Sequence, residues 1–367
     1  MIDVLTRRYA DLPLWTLAVP WLAVAMLVMV WGQMFNGALI AVVVAGLVAA
    51  VMVAVHHAEV IAHRVGEPFG TLILALAVTI IEVALIVSMK LSGGEAAGAL
   101  ARDTVFAAIM IVCNGVVGLC LLTGGLKHHV LVFRVDGTSP ALSVLAALST
   151  LTLVLPSYTT STPGPTFSPA QLGFAGISSL LLYGVFVFVQ TVRHRDYFLP
   201  VGADDAGSKG HAVPPSGLTA LVSLGLLVVC LIAVVGLAKT LSPAIQAGVS
   251  ALKAPPAVVG IAIALLVLLP ETFAAVRAAR RNRMQTSLNL ALGSVLATIG
   301  LTIPVVAVLS ILIDMPLFLG LGSKETVLLA VTLLVSVTTL ASGRATVLQG
   351  AVHLLLFAAF LFLSIVP

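Results

Sequence analysis

The sequence predicts an all-α polytopic membrane protein of about eleven transmembrane helices, built as one peripheral helix plus two inverted five-helix repeats. Three observations carry this: an apolar composition laid out in stretches of membrane-spanning length, a one-sided distribution of Lys and Arg, and two glutamates at matching places in the two halves. Of the 367 residues, 60% are hydrophobic and 9% charged, against roughly a quarter charged in a soluble domain. Mean hydropathy is +1.19. A helix needs about 20 apolar residues to cross a hydrocarbon core about 30 Å thick.

The expected spans lie near 13–32, 36–58, 69–90, 103–125, 140–157, 170–191, 217–237, 255–277, 287–312, 325–342 and 345–366. Gly, Pro or charge marks most of the breaks, as at Gly93-Gly94, Gly124-Gly125, and Asp314 with Pro316. Residues 1–35 form an N-terminal segment with the peripheral helix. That helix is read as retained, because its apolar run is long for a signal peptide and no small-residue cleavage site follows. Residues 36–191 form the first repeat and 217–367 the second. Between them, 192–216 is a polar cytoplasmic loop holding Asp204, Asp205, Lys209, Pro214 and Pro215.

The pI near 9.2 reflects membrane orientation and implies no nucleic-acid partner. With a cytoplasmic N-terminus, thirteen Lys and Arg residues fall on that side and five on the other. The positive-inside bias therefore places the N-terminus in the cytoplasm and the C-terminus outside. Arg277, Arg280, Arg281 and Arg283 cluster at one such cytoplasmic end, where anionic lipid is their expected partner. Cys113, Cys120 and Cys230 all lie in apolar stretches without disulfide or metal spacing, and read as small core residues.

The third span, "PFGTLILALAVTIIEVALIVSM", has Glu82 as its one ionisable residue, and the eighth has Glu271. Each follows a glycine by a similar interval: Gly70 by twelve residues, Gly260 by eleven. The next spans also correspond, "RDTVFAAIMIVCNGVVG" over "MQTSLNLALGSVLATIG", pairing Thr104 with Thr286 and Gly118 with Gly300. The glutamate helices are five spans apart and so cross in opposite directions. That is the arrangement of transporters with inverted repeats and a midplane site.

A charged side chain at mid-membrane costs about 2.5–3.5 kcal/mol on insertion scales, so it survives by facing a cavity or a partner. Glu82 and Glu271, entering from opposite faces, are expected to meet near the midplane as a cation- and proton-binding pair. The alternative is that each merely pins helix packing. Pro270 has no N–H and disturbs the contact to the carbonyl of Leu266, which makes that backbone oxygen a candidate ligand; the plainer reading is a kink. Thr79, one turn before Glu82, and Asn114, Ser294 and Thr298 on the following spans are supporting candidates, although small polar residues also mediate membrane helix packing. Thr302 continues the same four-residue spacing. Glu59, among His56, His57 and His63, is either a solvated interfacial cluster or an entrance for protons and cations.

Two ionised carboxylates give the empty site a charge of −2, costly in low dielectric. One calcium ion neutralises it, as do two protons, or one sodium or potassium plus a proton. Desolvation disfavours the ionised carboxylates and lets protons compete with the cation. If only neutral, occupied states switch sides, cation and proton movement become exchange. No cofactor is called for. An enzyme is not expected, since neither G-x-S-x-G nor H-E-x-x-H occurs and neither acid has an evident nucleophile beside it. A passive cation channel is the runner-up, disfavoured by the repeat and by a helix broken at Pro270.

These stretches resemble the calcium/cation antiporter superfamily, most closely its bacterial calcium/proton exchangers of the ChaA type. "GEPFGTLILALAVTIIEVALI" matches that group's first conserved repeat and "LLPETFAAVRAARRNRMQTSLNLALGSVLATIGLTIPVV" its second, while "EVIAHRVGEPFG" is similar to the superfamily's lead-in. The resemblance implies cation/proton antiport by alternating access in the bacterial inner membrane, calcium for protons in the first place, with Glu82 and Glu271 as ligands. It departs from the wider superfamily in one respect: the asparagines expected shortly before each acid are absent, Val78-Thr79-Ile80-Ile81 and Val267-Leu268-Leu269-Pro270 standing there instead. Two oxygen ligands are thereby lost, which brings sodium and potassium into contention with calcium.

Overall fold

The computed structural model describes residues 12–33, 37–66, 69–91, 98–199, 215–251, 255–312 and 317–366. Among the described residues, helical segments stand at the eleven expected places. In chain order they are α1 (Leu14–Val30), α2 (Gly37–Val65), α3 (Phe69–Leu91), α4 (Leu100–His128), α5 (Val135–Ser157), α6 (Pro169–Arg193), α7 (Gly217–Ala251), α8 (Ala257–Arg280), α9 (Met284–Leu312), α10 (Ser323–Leu340) and α11 (Val347–Ile365). Among the described residues nine are long and apolar enough to cross a membrane; α1, with 17 residues, is shorter, and the apolar stretch described in α3 is Ala75–Ala84. Arg7, Arg8, Gly93-Gly94, Asp204, Asp205, Lys209, Pro214, Lys253, Asp314 and Pro316 lie outside the described residues.

Two helix ends show why the chain turns where it does. Ser168 caps α6 in a capping box with Gln171, and Thr346 caps α11 with Gln349. Prolines at internal positions are tolerated in lipid, where spans pack on one another. Pro140 lies inside α5, Pro243 inside α7 and Pro270 inside α8.

The chain forms two compact units, and each draws on both halves of the sequence. The first comprises Met1–Gly94 and Ser208–Leu252, the second Glu95–Gly207 and Lys253–Pro367. In the first unit α2 packs against α1, α3 and α7. Val43, Ala50, Val53, Ala54 and Ala58 are buried on α2, and Cys230, Ala233, Val234 and Leu237 on α7. Small residues let the backbones approach: Met26 of α1 sits where a side chain on Gly46 would be, and Leu27 likewise over Gly236.

In the second unit α4 is the central helix, buried along nearly all of its length, with α8, α9 and α11 against it. Close approach again rests on missing side chains. A Cβ at Gly350 of α11 would lie 2.6 Å from the Leu122 backbone nitrogen, and one at Gly260 of α8 would lie 2.8 Å from the Asp103 carbonyl carbon.

The connections of this unit gather at two ends. At one, the short strands β1 (Leu131–Val132) and β2 (Arg344–Ala345) pair antiparallel. Lys127 Nζ donates to the Arg280 carbonyl at 3.1 Å, and the His128 ring meets the same oxygen. Buried Gln285 accepts from the Arg134 backbone N–H at 2.7 Å and donates to Asn289, which donates to the Phe198 carbonyl. At the opposite end Phe318 donates to Gly98, Gly320 to Pro165 and Leu321 to Leu153 through backbone N–H groups, while Arg102 reaches the Gly320 carbonyl and Lys324 that of Leu363. Connections expected on one side of a membrane thus meet each other, as strict alternation of the spans requires. Gln285→Ala strands the Arg134 N–H and should cost about 1–3 kcal/mol, read as earlier thermal unfolding of the detergent-solubilised protein.

Regular α geometry is interrupted elsewhere than expected. α8 is helical without a break from Ala257 to Arg280, straight through Pro270. The anticipated broken helix is therefore corrected: one missing hydrogen bond and a ring contact are absorbed within an otherwise paired 24-residue helix. Among the described residues the departures are π-helical turns, at Ile111–Val116 in α4, Thr150–Val154 in α5, Val189–Arg193 in α6 and Thr298–Thr302 in α9, and a 3-10 turn, Leu155–Ser157, that ends α5.

Candidate functional site

Glu82 belongs to the first unit and Glu271 to the second. On α3, Ala77, Val78, Thr79, Ile81, Glu82 and Ile86 are buried, while Leu76 and Ile80 are exposed. Glu82 is only 2% exposed, so its carboxyl stands on the protein-facing side of an apolar helix. Thr79 is on that side too, and its hydroxyl donates to the Ala75 carbonyl at 2.8 Å. Such a bond uses the hydrogen and leaves the oxygen's acceptor capacity open.

On α8, Val267, Leu268 and Ala275 are buried, Glu271 is half-buried and Phe273 is exposed. Leu266 and Pro270 are also half-buried, and the Thr272 hydroxyl donates to the Leu268 carbonyl at 2.7 Å. The helix packs against α4, its π turn included, and against α9. Thr298, the first residue of the α9 π turn, is 3% exposed; Thr302 is fully buried and Ser294 half-buried. Laid over one another as the sequence pairs them, with Arg102 on Met284, residues 111–116 fall on 293–298, so the π turns of α4 and α9 occupy adjacent stretches of corresponding spans. π turns are rare and concentrate at functional sites.

Asn114 stands within the α4 π turn, fully buried. Its Nδ2 donates to Thr332 Oγ1 of α10 at 2.8 Å, and its Oδ1 lies 3.3 Å from Nδ1 of His353 on α11. His353 Nε2 in turn lies 3.2 Å from Thr339 Oγ1. Asn114 therefore joins three helices of the second unit, a partnership that reading single spans does not supply. His353 and Thr339 were missed: a search confined to acids passes over an imidazole, although an ionisable group inside a span is the same kind of signal.

Of the expected entrance residues, Glu59 is exposed on α2, His56 is half-buried and His57 is fully buried. His57 Nε2 lies 3.0 Å from the Thr16 carbonyl, and the His56 ring centroid lies 5.7 Å from that of Trp15, so both histidines hold α1 to α2. At the end of the second unit away from the β strands, a cavity of about 340 Å³ is lined by Arg102, Asp103, Lys324 and Glu325 above Phe106 and Phe360. Its charges are paired, Arg102 with Asp103 at 2.8 Å and Lys324 with Glu325 at 3.4 Å. Among the described residues, no three or more His, Cys, Asp or Glu side chains cluster as a metal centre would need.

The family model described as sodium/calcium exchanger protein matches residues 35–192 and 222–366. The chain belongs to that family. Both glutamate helices of this exchanger-family chain fall inside the matched segments. It is 48% identical over 365 residues to the protein y4hA of Sinorhizobium fredii, covering 98% of each chain. It is 38% identical over 317 residues to the sodium-potassium/proton antiporter ChaA of Escherichia coli, covering 86% of each. Among solved structures, native YfkE superposes with a TM-score of 0.71 at 19% identity, over 96% of this chain and 99% of that one. At that identity the superposition speaks for the fold.

Proposed function

We propose that this protein is a secondary active antiporter that exchanges an inorganic cation for protons by alternating access. The observation that carries the reading is a pair of intramembrane glutamates, Glu82 and Glu271, at corresponding places in the two halves of a chain of the sodium/calcium exchanger family. The two halves, 36–191 and 217–367, act as inverted repeats, with 1–35 peripheral and 192–216 linking them. The carboxylates share one site, with Thr79, Ser294, Thr298 and the Leu266 carbonyl supplying further oxygens. Asn114 supports that site through its turn. Burial of Glu82 and the adjacent π turns of α4 and α9 support the assignment.

Charge arithmetic admits one calcium ion against two protons, or one sodium or potassium with a proton. The Escherichia coli relative is named a sodium-potassium/proton antiporter, which supports weighing sodium and potassium beside calcium here, as do the two absent asparagines. The protein works in the bacterial inner membrane with its N-terminus in the cytoplasm. Arg277, Arg280, Arg281 and Arg283 rest on anionic lipid there, and exposed Glu59 with His56 and His57 forms the cytoplasmic approach. No cofactor takes part, and no enzymatic reaction is involved.

The test is cation-triggered proton movement in inverted vesicles carrying an imposed pH gradient. Antiport predicts that calcium, sodium or potassium dissipates the gradient faster than in vesicles lacking the protein. No acceleration by any of the three overturns the reading, and cation flux without proton movement means a channel.

A further inference from the structure

We propose that His353 is a positioning residue of the transport site: a neutral imidazole that holds Asn114, and through it the π turn against which the Glu271 helix packs. The inference rests on the assignment of Glu271 to that site.

The hydrogen bonds define the ring's form. Asn114 commits its Nδ2 to Thr332 at 2.8 Å, so the atom it turns to His353 is Oδ1, which only accepts. Nδ1 therefore carries the hydrogen. Nε2 then has a lone pair, and the Thr339 hydroxyl, 3.2 Å away, donates to it.

Every one of these groups is uncharged. Asn114, Thr332 and His353 are fully buried, and Thr339 is 5% exposed. The titratable neighbours on α4, Cys113 on the same turn and Cys120 further along, are themselves buried. A proton added to His353 would place an unbalanced charge among them, which is expensive. The neutral ring fits all of its contacts.

The consequence is mechanical. α11 meets α4 at Gly118 and Gly350, where the backbones nearly touch, and Phe357 covers Gly115 of the π turn. His353 sits between those contacts and adds the polar tie to α10. Without it, Asn114 Oδ1 loses its donor inside a sealed core, and the turn beside α8 loses its fixed geometry.

The experiment measures sodium- and calcium-triggered proton movement for wild type, His353→Gln and His353→Leu across a series of pH values. Glutamine can donate to Asn114 and accept from Thr339 but takes up no proton in this range. His353→Gln is expected to keep the wild-type pH profile and a half-saturating cation concentration within about threefold. His353→Leu is expected to raise that concentration roughly tenfold, the size of one unsatisfied buried hydrogen bond, with the maximal rate per folded protein retained. A shifted pH profile in His353→Gln would overturn the neutral bridge, because the ring would then be titrating in transport. Wild-type behaviour in His353→Leu would overturn positioning, as would an equal loss of rate in both variants. If His353→Leu does not accumulate, Thr339→Val, which removes only the donor to Nε2, must raise the half-saturating concentration a few-fold or the inference fails. Failure of the antiport assignment itself looks different, since wild type would then move no protons.

Discussion

Glu271→Gln and Glu82→Gln each abolish cation-driven proton movement while leaving an inserted, folded protein. Glutamine keeps the shape and hydrogen-bonding reach of the side chain and removes its charge and its titration. If the two carboxylates share one site, the one left behind no longer balances a divalent ion and no longer trades two proton equivalents. Taking one carboxylate away from a buried cation–carboxylate pair costs about 3–5 kcal/mol, which is about two to three and a half decades in affinity. Because Glu82 is 2% exposed on a helix whose other buried residues are nearly all apolar, water offers little compensation. Flux assays on vesicles with matched protein content read the loss, and a monodisperse gel-filtration profile shows that the fold survives. Near-wild-type exchange by either variant contradicts a shared site.

Gly260→Val is the second large effect, and it acts through packing. A Cβ at this position would lie 2.8 Å from the Asp103 carbonyl carbon, 2.9 Å from its Cβ and 2.9 Å from the Thr104 nitrogen. Two of these three atoms are backbone, so no rotamer change relieves the clash and α8 has to move off α4. Overpacking of this kind costs about 1–3 kcal/mol. Thermal unfolding in detergent should shift down accordingly. Transport should fall further than stability alone explains, because the displaced helix carries Glu271 eleven residues along. A variant with wild-type melting and transport would mean that the α4–α8 contact does not hold the site.

Much of this was legible in the sequence for one physical reason. A span must be apolar and of fixed length, so hydropathy alone locates eleven helices to within a few residues at most ends. The largest exception is informative. α7 was expected to stop near residue 237, where Lys239 and Pro243 follow, yet it runs on to Ala251. Lys239 keeps its charge within the helix by lying over the Trp31 ring, 5.8 Å from the centroid. The glutamates were legible because a charge in hydrocarbon demands an explanation.

Local irregularity was not legible. Pro270 advertises a break that the structure does not have, while the four π turns carry no residue signature of their own. Asn114 stood out as an amide in an apolar span, but its partners Thr332 and His353 are 218 and 239 residues away in the chain. Contacts of that separation emerge only when α4, α10 and α11 are packed. The same holds for β1 and β2, two residues each, whose pairing depends on where the ends of four helices come together.

Proton release on cation binding tests the central claim most directly. Purified protein in weakly buffered detergent is titrated with calcium, sodium or potassium while the pH is followed. If Glu82 and Glu271 form one site for which cation and protons compete, the transported cation acidifies the solution in wild type, and both glutamine variants release far less. Cation binding without acidification, or equal acidification by the glutamine variants, contradicts it.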